Sequence, residues 1–234
     1  MAEVRKGCIY LVRHGEGSYT AGDYDQISSL GVKQARALGR WIANRGQHFR
    51  YVVTGNLRRQ KQTAKECMAV LPELLKKGSD WLIDDGFNEF DALGVLARYR
   101  PDMGRPGAMG AYLSKYENPA LEFKKLYAGA VRRWVDNQDD NGYRESWPDY
   151  KKRTIGAIKR IIENVSNDQN VIVFTSGGTI STICQELRPI PDSDMIDLMS
   201  SLVNCGVTKL LLTQDAINIG YINCIAHLDG IGEN

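Results

Sequence analysis

The sequence predicts an α/β fold, a single-domain three-layer sandwich in which a mostly parallel sheet is flanked by helices. Short apolar runs at residues 8–12 (Cys-Ile-Tyr-Leu-Val), 51–53 (Tyr-Val-Val) and 171–174 (Val-Ile-Val-Phe) read as strands covered on both faces. Between them lie segments whose apolar residues fall at helical spacing, so strands and helices alternate. Nothing in the composition of the 234 residues marks a split, and the whole chain, 1–234, is expected to be one domain. That length buries a core without disulfide or metal staples.

Taken in order, the first strand runs into Arg13-His14-Gly15-Glu16, and a loop rich in Gly, Ser, Tyr and Asp follows over 17–28. Ser28 is placed to N-cap a helix that presents Ala35, Leu38 and Ile42 to the core. The strand at 51–53 leads into Thr54-Gly55-Asn56 and a helix expected to carry Ala64, Cys67, Leu71 and Leu74 on one face. Residues 81–84 suit an edge strand, and Gly86-Phe87-Asn88-Glu89-Phe90 a turn. Residues 91–149, broken by Pro101, Pro106 and Pro119, read as a partly helical insertion covering the site, with Phe123, Tyr127, Ala130 and Trp134 on one helix. Ile155, Ile158, Ile162 and Val165 mark a later helix. After the strand at 171–174, Thr175-Ser176-Gly177-Gly178 turns into a helix with Ile180, Ile183 and Leu187 inward. The runs 207–213 and 217–225 are expected to form a hairpin around Gln214-Asp215.

Composition excludes several classes. Thirty basic against twenty-eight acidic residues leave a charge of +2, without the basic face of a nucleic-acid or membrane-surface protein. Five scattered cysteines, none in a Cys-x-x-Cys pair, point away from a disulfide framework and from a zinc site. The opening residues hold no secretory apolar run, and no stretch has the length of a membrane span, which predicts a cytoplasmic protein. No Walker loop or Gly-x-Gly-x-x-Gly follows a strand, so no nucleotide cofactor is expected, and none of any other kind.

In an open α/β sheet the site lies beyond the carboxyl ends of the strands. That rule gathers Arg13-His14, Asn56 to Arg59 and Ser176 to Gly178 on one edge. A neutral imidazole is a competent phosphoryl acceptor, and neighbouring arginines disfavour its protonation while offering bidentate donors to phosphate oxygens.

The run Leu11-Val12-Arg13-His14-Gly15-Glu16 resembles the signature of the histidine phosphatase (phosphoglycerate mutase-like) superfamily. Ser28-x-x-Gly31-x-x-Gln34-Ala35 is similar to the start of that family's first helix. The segment from Thr54 to Ala64 resembles the one bearing its second phosphate-binding arginine, which falls on Arg59. Phe87-Asn88-Glu89-Phe90 resembles the segment with its acid, which falls on Glu89. Gly142-Tyr143-Arg144-Glu145-Ser146 is similar to a Gly-Glu-Ser stretch, and Asn223-x-x-x-His227-Leu228 to the last strand.

The resemblance implies a mechanism. His14 takes the phosphoryl group, Glu89 protonates the leaving oxygen and then activates water, and Arg13 and Arg59 hold the equatorial oxygens. Glu89 would need a raised pKa, which a bulky neighbour such as Phe90 could supply.

The chain departs from the family at one point. Where the family carries Ser-His-Gly-Gly, this sequence has Thr175-Ser176-Gly177-Gly178, so Ser176 replaces a second histidine; a bacterial branch of the superfamily looks similar here. Ser176 and Gly177, at a helix N-terminus, are still expected to bind phosphate. Losing one preorganised donor costs a factor of roughly 10² to 10³ in rate, so a slow enzyme is expected. His48 and His227 are not assigned to catalysis, and Arg98, Arg100 and Arg105 read as surface charge. A serine-hydrolase role for Ser176 fails, because the nucleophile elbow needs glycine where Phe174 stands.

The leading expectation is a metal-independent phosphohydrolase acting on a small-molecule phosphomonoester or a phosphoprotein, with phosphate ion as product. The alternative is a non-catalytic phosphate- or phosphoprotein-binding module of the same fold. Mutase-type phosphotransfer is the weakest reading.

Overall fold

In the computed structural model of the chain, residues 5–18, 25–105, 107–136, 142–164, 169–213 and 216–231 are described. Six strands, β1 (Arg5–Arg13), β2 (Tyr51–Thr54), β3 (Asp80–Ile83), β4 (Gln169–Thr175), β5 (Val207–Thr213) and β6 (Ile217–Cys224), form one sheet in the order β3-β2-β4-β1-β5-β6. The pairs β1–β4, β4–β2 and β2–β3 are parallel, while β1–β5 and β5–β6 are antiparallel. The expected hairpin is present; its tip at Gln214-Asp215 lies outside the described residues, as do residues 19–24 of the loop after β1 and Val165.

The continuous apolar pattern of β1 has the expected cause. Cys8, Tyr10 and Val12 point to one face and Ile9 and Leu11 to the other, and both faces are covered. On the first face lie α1 (Ser29–Ala43) and α2 (Arg58–Ala69), which contribute Ala35, Leu38 and Ile42, and Ala64, Cys67 and Met68. On the second lie α7 (Trp147–Asn164) and α8 (Gly177–Leu187), through Ile155 and Ile158, and Ile180 and Ile183. Ser28 caps α1 as expected, its Oγ accepting from Gly31 N at 3.0 Å.

One helix is shorter than its periodicity suggested. The pattern Ala64, Cys67, Leu71, Leu74 predicts a single face, but α2 ends at Ala69 and Pro72 opens a separate turn, α3 (Glu73–Lys76). Proline cannot continue a helix because it lacks the N–H and clashes with the preceding turn. Leu71 is still buried, whereas Leu74 is 79% exposed.

The segment 91–149 forms α4 (Ala92–Tyr99), α5 (Ala108–Leu113) and α6 (Pro119–Asp136), with a 3₁₀ turn at Pro101–Gly104 between the first two. These helices have their own core. Phe90, Val95 and Leu96 pack with Ala130, Val131 and Trp134 and with Met195, Ile196 and Met199 of α9 (Asp192–Ser201). Phe123, Tyr127, Ala130 and Trp134 do share one helix, with Ala130 and Trp134 fully buried. Among the described residues no helix is long and apolar enough to cross a membrane.

Candidate active site

The parallel register aligns the ends of three strands: Arg13 lies beside Thr175, and Thr54 beside Phe174. The chain then leaves β1 at His14, β2 toward α2 with Arg59, and β4 at Ser176 into α8. The three expected segments therefore meet at one edge of the sheet.

His14 is 3% exposed. Its backbone is pinned on both sides, with N donating to Thr175 O at 2.9 Å and O accepting from Asn204 Nδ2 at 2.9 Å. Nδ1 lies 2.8 Å from Gly15 O, and a carbonyl only accepts, so Nδ1 carries the proton and Nε2 keeps its lone pair. Burial pushes the imidazole pKa down to about 3, and the charges of Arg59 and Arg13 push in the same direction. The arginine argument is thus correct in sign, but burial is the larger cause.

The turn around His14 is held by close backbone approach. Gly15 N donates to Thr63 Oγ1 at 2.9 Å, and a Cβ on Gly15 would sit 2.7 Å from Gly31 O. The pairing of Gly15 with Gly31 lets the loop rest on the first turn of α1, and Ser28 Oγ ties in Glu16 at 2.8 Å.

The two arginines enter from different elements. Arg13 Nη1 donates to Leu202 O, while its Nε is buried without a protein partner among the described residues. Arg59, on the first turn of α2, is nearly buried and donates from Nη1 to Asp25 Oδ1 at 2.9 Å. Asp25 also accepts from Arg58 N at 3.0 Å, so it both orients Arg59 and satisfies a backbone N–H at the start of α2.

Glu89 follows the 3₁₀ turn Asp85–Phe87. Its Oε2 accepts from Gly178 N at 3.0 Å and its Oε1 from the Tyr150 hydroxyl at 2.9 Å. A Cβ on Gly178 would fall 2.3 Å from Glu89 Oε1, so glycine there is what lets the carboxylate reach the helix N-terminus. Next to it, a Cβ on Gly177 would lie 3.7 Å from Arg13 Nε. Glu89 thus contacts Gly178, and Arg13 lies near the adjacent Gly177.

Ser176, in the turn from β4 into α8, is fully buried. Its Oγ accepts from Gln60 Nε2 at 2.9 Å, and the same amide donates to Phe87 O at 3.0 Å. Thr175 Oγ1 reaches that carbonyl too, at 2.7 Å. Gln60 thereby ties α2, the β4–α8 turn and the segment carrying Glu89 together. Gln60, Thr63, Asp25 and Tyr150 were not singled out from the sequence; Gln60 and Thr63 did follow Arg59 in the quoted motif, whereas no motif marked Asp25 or Tyr150.

The remaining expected residues lie elsewhere. His227 bonds through Nε2 to Cys205 O at 3.1 Å and packs on Trp41, a structural role. His48 Nε2 donates to Lys77 O at 2.9 Å at the opposite edge of the sheet. Arg100 is paired with Asp102 on the surface at 2.8 Å. Among the described residues no cluster of three or more His, Cys, Asp or Glu has the arrangement of a metal site.

The sequence profile of the histidine phosphatase superfamily, branch 1, matches residues 9–98 and 109–225, and the chain belongs to that family. It is 30% identical over 186 residues to a 2,3-bisphosphoglycerate-dependent phosphoglycerate mutase of Methylorubrum populi, spanning 76% of this chain and 78% of that one. A broad-specificity phosphatase of Saccharomyces cerevisiae is 24% identical over 77% of this chain and 70% of its own. Among solved structures, a phosphoglycerate mutase from Bacillus anthracis superposes with a TM-score of 0.64 at 18% identity, covering 97% of each chain. A mycobacterial glucosyl-3-phosphoglycerate phosphatase complexed with VO3 superposes with a TM-score of 0.61 at 19% identity, over 94% of this chain and 100% of the other. These structural likenesses bear on the fold, and they include mutases and phosphatases alike.

Proposed function

We propose that the protein is a metal-independent phosphohydrolase that passes a phosphoryl group through His14 to water. The observation that carries this reading is the state of His14: buried, neutral, with Nε2 unprotonated, and next to two arginines. A neutral histidine in that setting is a nucleophile at any physiological pH. As the P–O bond of a phosphomonoester breaks and the P–N bond to His14 forms, charge collects on the equatorial oxygens. Arg13 and Arg59 would meet that charge, and the buried Nε of Arg13 needs such an acceptor. The backbone donor at Gly177 adds to the cradle.

Glu89 is the proton donor to the leaving oxygen and, in the second half-reaction, the base for water. Ser176 contributes its place in the turn rather than a charge, since its hydroxyl faces Gln60. The substrate is a small-molecule phosphomonoester or a phosphorylated protein side chain. A mutase needs a site that retains and turns a twice-phosphorylated intermediate, and hydrolysis asks less of this one. A purely binding module has no use for the hydrogen-bonded carboxylate of Glu89.

Wild type and His14→Ala are to be assayed against a panel of phosphomonoesters with chelator present. Turnover by the wild type that the variant lacks is expected. Equal rates, or rates that vanish with chelator in the wild type, would overturn the proposal.

A further inference from the structure

We infer that Tyr150, backed by Thr179, is a positioning residue that holds Glu89 in place in both of its protonation states; this rests on the reading of Glu89 as the acid. The Tyr150 ring is fully buried and gripped by Phe90 at 5.5 Å edge-on, Trp134 at 5.6 Å and Trp147 at 5.8 Å. Its hydroxyl therefore has a fixed place, 2.9 Å from Glu89 Oε1 and 3.1 Å from Thr179 Oγ1. Thr179 Oγ1 in turn lies 3.3 Å from Asn88 O. Burial and the nearby Glu89 raise the phenol pKa well above its ordinary value, so Tyr150 keeps its proton.

Donor accounting then allows two complete arrangements. With Glu89 ionised, Tyr150 donates to Oε1, and Thr179 donates to Tyr150 or to Asn88 O. With Glu89 protonated on Oε1, the carboxyl donates to Tyr150, Tyr150 donates to Thr179, and Thr179 donates to Asn88 O. Gly178 N serves Oε2, and Phe90 N, at 3.2 Å, serves Oε1 in both. Only hydrogens turn; no heavy atom has to move.

That suits a residue that gives up a proton and regains one in each cycle. When the leaving oxygen arrives, the Glu89 O–H turns from Tyr150 toward it; as that O–H bond breaks and the leaving oxygen takes the proton, Tyr150 turns to donate to the forming carboxylate. When Glu89 takes a proton from water in the second step, the chain turns back. A hydroxyl can serve both states, whereas an ammonium or guanidinium could only donate.

Tyr150→Phe keeps the ring packing and removes the switch. Its kcat for alkyl phosphates, whose leaving groups need the proton, is expected to fall about tenfold or more, within the range assigned to general acids. For nitrophenyl phosphate, KM and the inhibition constant of inorganic phosphate, changes under about threefold are expected for the loss of one neutral hydrogen bond. Thr179→Val should show a smaller loss of the same kind and Thr179→Ser none. In a Glu89→Gln background, Tyr150→Phe should add little, because coupled residues are not additive. A loss equal for both substrate types, or a weakened phosphate affinity, would reduce Tyr150 to packing and overturn the inference. Should Glu89→Gln itself lack the leaving-group bias, the acid role and the inference fall together; should it show the bias while Tyr150→Phe does not, only the inference falls.

Discussion

At the residue scale the central feature is a histidine that the fold keeps neutral at a cost in stability. The unfolded chain takes up a proton on this side chain near pH 6.5, whereas folded His14 refuses it until about pH 3. Between those values the unfolded state binds more protons, so stability is highest above pH 6.5 and drains away as the pH falls toward 3. The slope is at most about 1.4 kcal/mol per pH unit for one such group. His14→Gln removes the titration while keeping a polar side chain. Its urea midpoint should therefore decline less steeply than that of the wild type from pH 6.5 to 4. His227, pushed down to about 4, is present in both proteins and cancels. Parallel declines would show that His14 is protonated well before pH 4 and so is not held as described. Arg13, His14, Arg59 and Glu89 were legible as candidates in the sequence because each sits in a short local motif. Tyr150 and Asp25 could not, because their roles depend on contacts across 61 and 34 positions of chain.

At the element scale, periodicity succeeded where a helix packs on the sheet and failed where it stops. The apolar rows of α1, α7 and α8 are the faces found in the core. For α2 the row ran on past Pro72 to Leu74, and backbone chemistry overrode it. The segment 91–149 was harder to read because its helices pack on one another and on α9 rather than on a strand, so no single run shows the pattern. That difference makes a stability prediction. Trp134→Ala, in the middle of this segment's core and against Phe90 at 4.7 Å, should cost about 3–5 kcal/mol in urea unfolding. Leu74→Glu, on the exposed turn, should stay within about 0.5 kcal/mol. A small cost for Trp134→Ala would mean that this core does not support the fold, and a large one for Leu74→Glu that α3 is buried in solution.

At the scale of the whole molecule, the sheet is what assembles the site. Parallel pairing of β1, β4 and β2 brings the ends of three strands to one edge, and the sequence rule that sites lie beyond carboxyl strand ends located them before any contact was known. The same rule could not show what the buried Ser176 side chain contacts. In the fold, Gln60 spans from α2 to Ser176 and Phe87, filling that corner with a neutral hydrogen-bonded amide. The proposed reaction is a two-step hydrolysis with a covalent intermediate on His14. Its most direct test is rapid mixing of the protein with a phosphomonoester under single-turnover conditions, an alkaline quench that preserves phosphohistidine, and mapping of the modified peptide by mass spectrometry. One phosphoryl group, on His14, is expected to form and decay at rates that support the steady-state turnover. Turnover without a phosphorylated His14, or phosphate mapped to Ser176 instead, would contradict it.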